Sequence, residues 1–178
     1  MGSGNAILGH AFVGGEDQKM STIIGIDPGQ SGGIAAVMGN GKVKAWKMPA
    51  TERDLWEQIF CRLSWCHDPH IFLEKVGPQP TFGQDGKRQG ISSTWKFAQH
   101  NGVLRGMIIA SGIPSETASP QKWCAFFGLK KGKDETQTAW KNRHKAKAQE
   151  LFPGISVTHA IADALLIMEY GRRIRNGA

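Results

Sequence analysis

Three carboxylates in this chain stand where apolar residues belong. Asp27 closes the run Ile23-Ile24-Gly25-Ile26, Glu74 interrupts the run 71–76 (IFLEKV), and Asp163 lies inside the segment 158–175 (THAIADALLIMEYGRRIR), apolar nearly all round. A core tolerates an ionised carboxylate only when something pairs with it. For Asp27 alone two readings stay open: a metal or phosphate site, or a turn-initiating Asp in Asp-Pro-Gly. Three such placements in one domain predict that the acids converge. Clustered carboxylates repel unless divalent cations neutralise them. Ligation by oxygen suits Mg²⁺ or Mn²⁺ better than zinc. Pairs of such cations carry out in-line displacement at phosphorus, one activating the attacking water and the other stabilising the leaving oxygen. In a basic protein, that chemistry predicts a nuclease.

The chain is basic. Its 178 residues carry a formal net charge of +7, and 40% of them are hydrophobic. That is length for one domain with a full core, and the charge points to a polyanionic partner. No apolar run approaches the roughly 20 residues of a membrane span, so no membrane role is expected. Three cysteines suggest no disulfide framework and a reducing, cytoplasmic setting. Cys61, Cys66, His67 and His70 are close in sequence, but their spacing fits no standard zinc finger; a half-buried helix end is the preferred reading. Residues 1–19 are Gly-rich, without period and without Arg. They read as a flexible or appended leader, with the nuclease domain over 20–178.

The elements that must position the acids follow from periodicity. The stretch 22–37 (TIIGIDPGQSGGIAAV) reads as two strands joined by the Pro28-Gly29 turn. Gly39-Asn40-Gly41 turns into a third antiparallel strand over 42–48. Thr51 precedes two acids and helical spacing of Leu55, Trp56, Ile59, Phe60 and Leu63, predicting a helix over 52–66. A strand follows at 71–76, then a Gly/Pro-rich loop over 77–92 of a length usually tied to function. A helix over 94–112 presents Trp95, Phe97, Ala98, Val103, Leu104, Met107 and Ile108 as an apolar face. A short strand at 113–117 leads into a helix starting at Ser119-Pro120. Residues 129–147 hold seven Lys or Arg against two acids, either a solvated helix face or a phosphate-binding one. A helix is predicted over 138–152 and a last one over 158–175. In the last, His159 and Asp163 lie one turn apart on one face, and Arg172, Arg173 and Arg175 suit its C-terminus.

The motifs IIGIDPGQSGGIA (23–35), FLEKV (72–76), SSTWKFAQHNGVLRG (92–106), SPQKW (119–123), KAKAQELFP (145–153) and ADALLIMEYG (162–171) occur in this order. With them the chain resembles the RuvC-like Holliday junction resolvases, particularly their short phage-type branch, within the RNase H-like superfamily. The resemblance spans nearly all of the chain after the leader. It implies an α/β fold: a mixed five-stranded sheet in the order 32145 flanked by helices. It further implies a homodimer that nicks two opposed strands of a four-way DNA junction using two Mg²⁺ or Mn²⁺ ions per site. A two-fold dimer suits a two-fold junction.

Carried over position by position, Asp27 bridges both metals, and Glu74 and Asp163 each bind one. The family usually keeps a further acid one turn before that last Asp. Here Ala160 and His159 stand in its place, and His159 is the expected fourth ligand or water-positioning group, with weaker metal affinity and a leaning to Mn²⁺. Lys145 matches the part of the family's basic helix that approaches the scissile phosphate, with Lys141 one turn before it. Phe82, the one aromatic of the 77–92 loop, is the expected base-stacking residue, with anchoring of the loop in the core as its other reading. Lys87, Arg88 and Lys122 are expected backbone contacts. Three other readings compete: an actin-like or Hsp70-like phosphotransferase, for which one domain is too little; another RNase H-like nuclease acting on branched DNA or RNA; and a non-catalytic junction-binding module.

Overall fold

A computed structural model describes residues 20–77 and 90–177. The leader 1–19 and the loop residues Phe82, Lys87 and Arg88 lie outside the described residues.

The chain runs β1 (Thr22–Asp27), β2 (Gly33–Val37), β3 (Val43–Lys47), α1 (Glu52–Leu55), a π-helical turn (Trp56–Phe60), α2 (Cys61–Leu63), β4 (Pro69–Glu74), α3 (Ile91–Ser111), β5 (Ser115–Ala118), α4 (Pro120–Phe126), α5 (Gln137–Leu151) and α6 (His159–Arg175). The five strands form one sheet in the order β3-β2-β1-β4-β5. β1–β2 and β2–β3 are antiparallel, whereas β1–β4 and β4–β5 are parallel. This is the mixed 32145 sheet of the RNase H-like fold. The register pairs Ile26 with Leu73, so the next residues on each strand, Asp27 and Glu74, end side by side. Carboxyl ends of adjacent parallel strands are where open α/β sheets place their ligands.

β1 and β2 are buried on both faces, which is why their apolar runs are continuous. Ile24, Ile26, Ile34 and Ala36 face a layer made by Leu55, Phe60, Leu63, Leu104 and Ile108. Ile23, Ala35, Val37 and Phe72 face the α6 layer, with Trp123, Leu129 and Ala148 completing it. α6 lies directly on the sheet because β1 and β2 offer glycine there. A Cβ on Gly25 would sit 2.3 Å from the Met168 nitrogen and 2.4 Å from the Ala164 oxygen. One on Gly33 would meet the Ala160 oxygen at 2.5 Å. Farther along α6, Gly171 makes room for the Phe72 ring.

The elements depart from the sequence expectations in two places. The helix expected over 52–66 ends at Leu63 and contains the π-helical turn. Its start is as expected: Thr51 Oγ1 accepts from the Asp54 amide and donates to the Asp54 carboxylate. The apolar face expected of α3 is only partly a core face. Leu104 and Ile108 are buried, but Trp95 is 69% exposed, and Ile91 and Ile109 are 89% and 80% exposed. Leu55, Phe60 and Leu63 share that layer with Leu104 and Ile108. Cys61 and Cys66 are half-buried and free, as a helix end requires, and His70 is buried between Glu116 and Arg175.

Replacing Gly25 with Ala would drive a methyl into the α6 backbone. G25A should lose more than about 3 kcal/mol or fail to fold, the range reached when a core is overpacked without room to relax. G102A, in the exposed middle of α3 where a Cβ meets nothing within 4 Å, should gain about 0.5–1 kcal/mol from helix propensity. Urea denaturation of the two variants checks both signs.

Candidate active site

Asp27, Glu74 and Asp163 are brought together at the carboxyl end of β1. Asp27 is the last residue of β1, and the turn after it folds back over it. Gly29 has φ 105°, a region open to glycine. A Cβ on Gly32 would lie 2.2 Å from the Asp27 carbonyl oxygen and 3.1 Å from its carboxyl carbon. Glu74 ends β4 and accepts a hydrogen bond from Trp123 Nε1 at 3.3 Å. Asp163 is buried in the second turn of α6. Its Oδ1 is 2.8 Å from His144 Nδ1, and its Oδ2 is 2.5 Å from Lys141 Nζ. Both partners come from α5.

The three acids do not share their charge equally. Burial, then the neighbouring Glu74 and Asp163, push the Asp27 carboxyl up to about 8. Burial and Asp163 also raise Glu74. Burial works to raise Asp163 as well, but the His144 hydrogen bond and the Lys141 ammonium outweigh it and hold Asp163 below the usual range. Lys141 is half-buried, which alone would lower it, yet its pairing with Asp163 and the fields of Asp27 and Glu74 raise it. The negative field reaches further: burial, with Asp163 and Glu74, pushes the Cys124 thiol up to about 12. One ammonium therefore faces three carboxyl groups, and Asp27 takes a proton near neutral pH as part of the balance.

That imbalance is what a hard divalent cation relieves, and an all-oxygen donor set fits Mg²⁺ or Mn²⁺. Among the described residues, however, no three His, Cys, Asp or Glu groups close into a ready cage. The geometry gives the reason: one Asp163 oxygen is turned to His144 and the other to the Lys141 ammonium. Asp27 and Lys141 open into a cleft of about 350 Å³, lined also by Ser31, Gln137, Thr138 and His159. Glu74 opens into a hollow of about 460 Å³ with Ser119, Pro120 and Gln121. A larger hollow of about 730 Å³ is lined by Gly29, Gln30 and, among the described residues, Glu52 as its one carboxylate. The converging acids Asp27 and Glu74 border the two smaller hollows.

His159 stands at the first position of α6, exposed, on the wall of the Asp27 cleft. Lys145 lies one turn beyond Lys141 on α5, half-buried. Lys141, expected beside Lys145 at the DNA phosphate, bonds Asp163. Lys122 is exposed on α4 beside Gln121. Much of the remaining positive charge is spent inside the fold. Arg143 bonds Glu135 and the Gly128 carbonyl, and Arg172 and Arg173 clamp the buried Glu169. The sequence reading missed His144 and the indoles around it. A signal existed: Trp140, His144, Ala148 and Leu151 form an i, i+4, i+8, i+11 stripe, so His144 is a polar residue on the buried face of a basic helix.

The Asp27 shift has a definite sign. Folded Asp27 keeps a proton that the unfolded chain releases above pH ~4. Its contribution is full below that pH and shrinks as pH rises towards 8. In metal-free buffer D27N should match the wild type near pH 4. By pH 8 it should be more stable by on the order of a few kcal/mol. Thermal and urea melts across pH 4–8 with chelator present measure this.

No family model matches the sequence, and neither does any curated protein. Solved structures do match. T. thermophilus RuvC in complex with a Holliday junction substrate superposes with a TM-score of 0.53 at 15% identity, over 89% of this chain and 97% of that one. A second Thermus thermophilus RuvC structure gives 0.46 at 17% identity, over 88% and 96%. At 15% identity the first of these establishes the fold: this chain has the RuvC-like arrangement of sheet and helices.

Proposed function

We propose that the protein is a metal-dependent endonuclease that resolves four-way DNA junctions, acting as a homodimer of the short phage-type RuvC-like kind. The carrying observation is the convergence of Asp27, Glu74 and Asp163 from three separate elements into one buried, over-charged group. Asp27 lies in the field of both other acids and would bridge two Mg²⁺ or Mn²⁺ ions; Glu74 and Asp163 would each hold one, with His159 on the cleft wall as a fourth ligand. The ions supply an activated water and stabilise the departing oxygen.

The chain's own residues supply the rest. The sheet fixes Asp27 and Glu74 in register, so the backbone sets the placing of two carboxylates that would hold the ions. Lys141 and Lys145 bring positive charge to where a phosphate's negative charge builds up. Phe82 is the proposed base-stacking residue, and Lys87, Arg88 and Lys122 are proposed backbone contacts. The net charge of +7 supports a nucleic acid partner. The exposed Ile91, Trp95 and Ile109 along α3 support burial of that helix in a dimer. No helix of the described residues is long and apolar enough to cross a membrane, and three free cysteines support work in the cytoplasm.

The test is nicking of a synthetic four-way junction with Mg²⁺ or Mn²⁺, beside linear duplex and RNA–DNA hybrid. Paired symmetric nicks in the junction are expected. D27N should cut at least about 1,000-fold more slowly while binding the junction as well as the wild type or better. H159A should need about 10–100-fold more metal, with the larger increase in Mn²⁺ because the imidazole favours the softer cation. Junction binding without cleavage under both metals would overturn the enzyme reading in favour of a binding module. Preferential hybrid cleavage would move the assignment to another RNase H-like activity. Sedimentation equilibrium should show a dimer.

A further inference from the structure

We propose that His144 is a positioning residue for this site: from α5 it holds the Asp163 carboxylate in one orientation, so that Oδ2 faces the place a cation takes. The inference rests on the metal-site reading above and adds a residue outside the ligand set.

Four observations carry it. His144 is fully buried, yet a Leu or Phe would fill the same space at lower desolvation cost. Its Nδ1 lies 2.8 Å from Asp163 Oδ1. Asp163 is held ionised and can only accept, so His144 Nδ1–H donates. Its Nε2 is buried without a partner among the described residues; a bare acceptor is the less costly group to leave so, which agrees with the same tautomer. Finally, the ring cannot swing. Trp123 meets it edge-on at 5.2 Å and 71°, and Trp140 at 4.5 Å and 72°. Trp140 is itself anchored by its Nε1 to the Leu129 carbonyl at 2.6 Å, and Trp123 by its Nε1 to Glu74. One aromatic layer thus supports two of the three acids from behind.

The two donors on Asp163 have different fates. His144 comes from the closed interior and holds Oδ1. Lys141 comes from the cleft, is 40% exposed at its side chain, and covers Oδ2. Oδ2 would therefore be the oxygen free to hold a cation once Lys141 moves aside, with the His144 bond to Oδ1 kept. Groups that orient a ligating side chain in this way are worth roughly 10–100-fold in metal affinity.

The experiment measures Mn²⁺ binding to the full chain without DNA, by calorimetry and electron paramagnetic resonance, for wild type, H144L, H144N and H144Q. An Asn amide nitrogen sits where Nδ1 sits, whereas the Gln amide reaches the place of Nε2. H144L and H144Q should bind Mn²⁺ at least tenfold more weakly and H144N within about threefold. The Mn²⁺ midpoint for nicking should move by the same factor, with the rate recovering at saturating metal. In a D163N background, H144L should cause no further loss. If folded H144L binds Mn²⁺ like the wild type, if the three variants are equal, or if the double variant loses more than D163N alone, the proposal is wrong. Should H144L fail to fold, the contrast of Asn with Gln decides. A wild type that binds Mn²⁺ but cuts no branched DNA removes the nuclease reading and leaves this one standing; a wild type that binds no Mn²⁺ overturns this one.

Discussion

The seating of α6 on β1 is the contact on which the site depends. Gly25 removes the side chain that would hold a helix away from the strand, and the Ala164 carbonyl and Met168 amide take its place. Gly33 does the same one strand over, beneath Ala160. Asp163 precedes Ala164 directly, so the glycine contact sets its height above the sheet. With an ordinary side chain at position 25, α6 would stand off and Asp163 would lose its place beside Asp27. The small residues Ala160 and Ala164 of α6 serve the same approach from the other side.

That approach concentrates charge, and the protein balances it in three ways. Asp163 is ionised, held by His144 and Lys141. Asp27 retains a proton until about pH 8. Lys141 stays charged despite burial. Environments that push neighbouring carboxyls in opposite directions mark a site whose stability has been given up for chemistry. A fold optimised only for stability would place leucines at these positions. The positive charge is likewise divided. Arg143, Arg172 and Arg173 hold the fold together, while Lys141 reaches Asp163.

Much of the fold was legible from local pattern. The unbroken apolar runs of β1, β2 and β4 declared strands covered on both faces, and Gly39–Gly41 and Pro28-Gly29 declared the turns between them. Helix ends were also local: Gly112 terminates α3 with φ 66°, and Thr51 caps α1. The outward face of α3 was misjudged because periodicity reports which residues are apolar and not which neighbour covers them. Trp95 and Leu104 look alike in sequence; one is exposed and the other buried.

The sequence by itself singled out the three acids. Asp27, Glu74 and Asp163 were conspicuous because a carboxylate in an apolar run violates the cost of burying charge, and that cost needs no coordinates. Only the tertiary structure decided which cations answer them. Lys141 and Lys145 are equivalent by spacing, four residues apart on one helix face, but the crossing of α5 over α6 gives Asp163 to Lys141. His144 joined the site for the same reason. A histidine's role is set by what faces it across a packed interface, and that pairing, 19 residues apart in the chain, exists only once both helices have docked on the sheet.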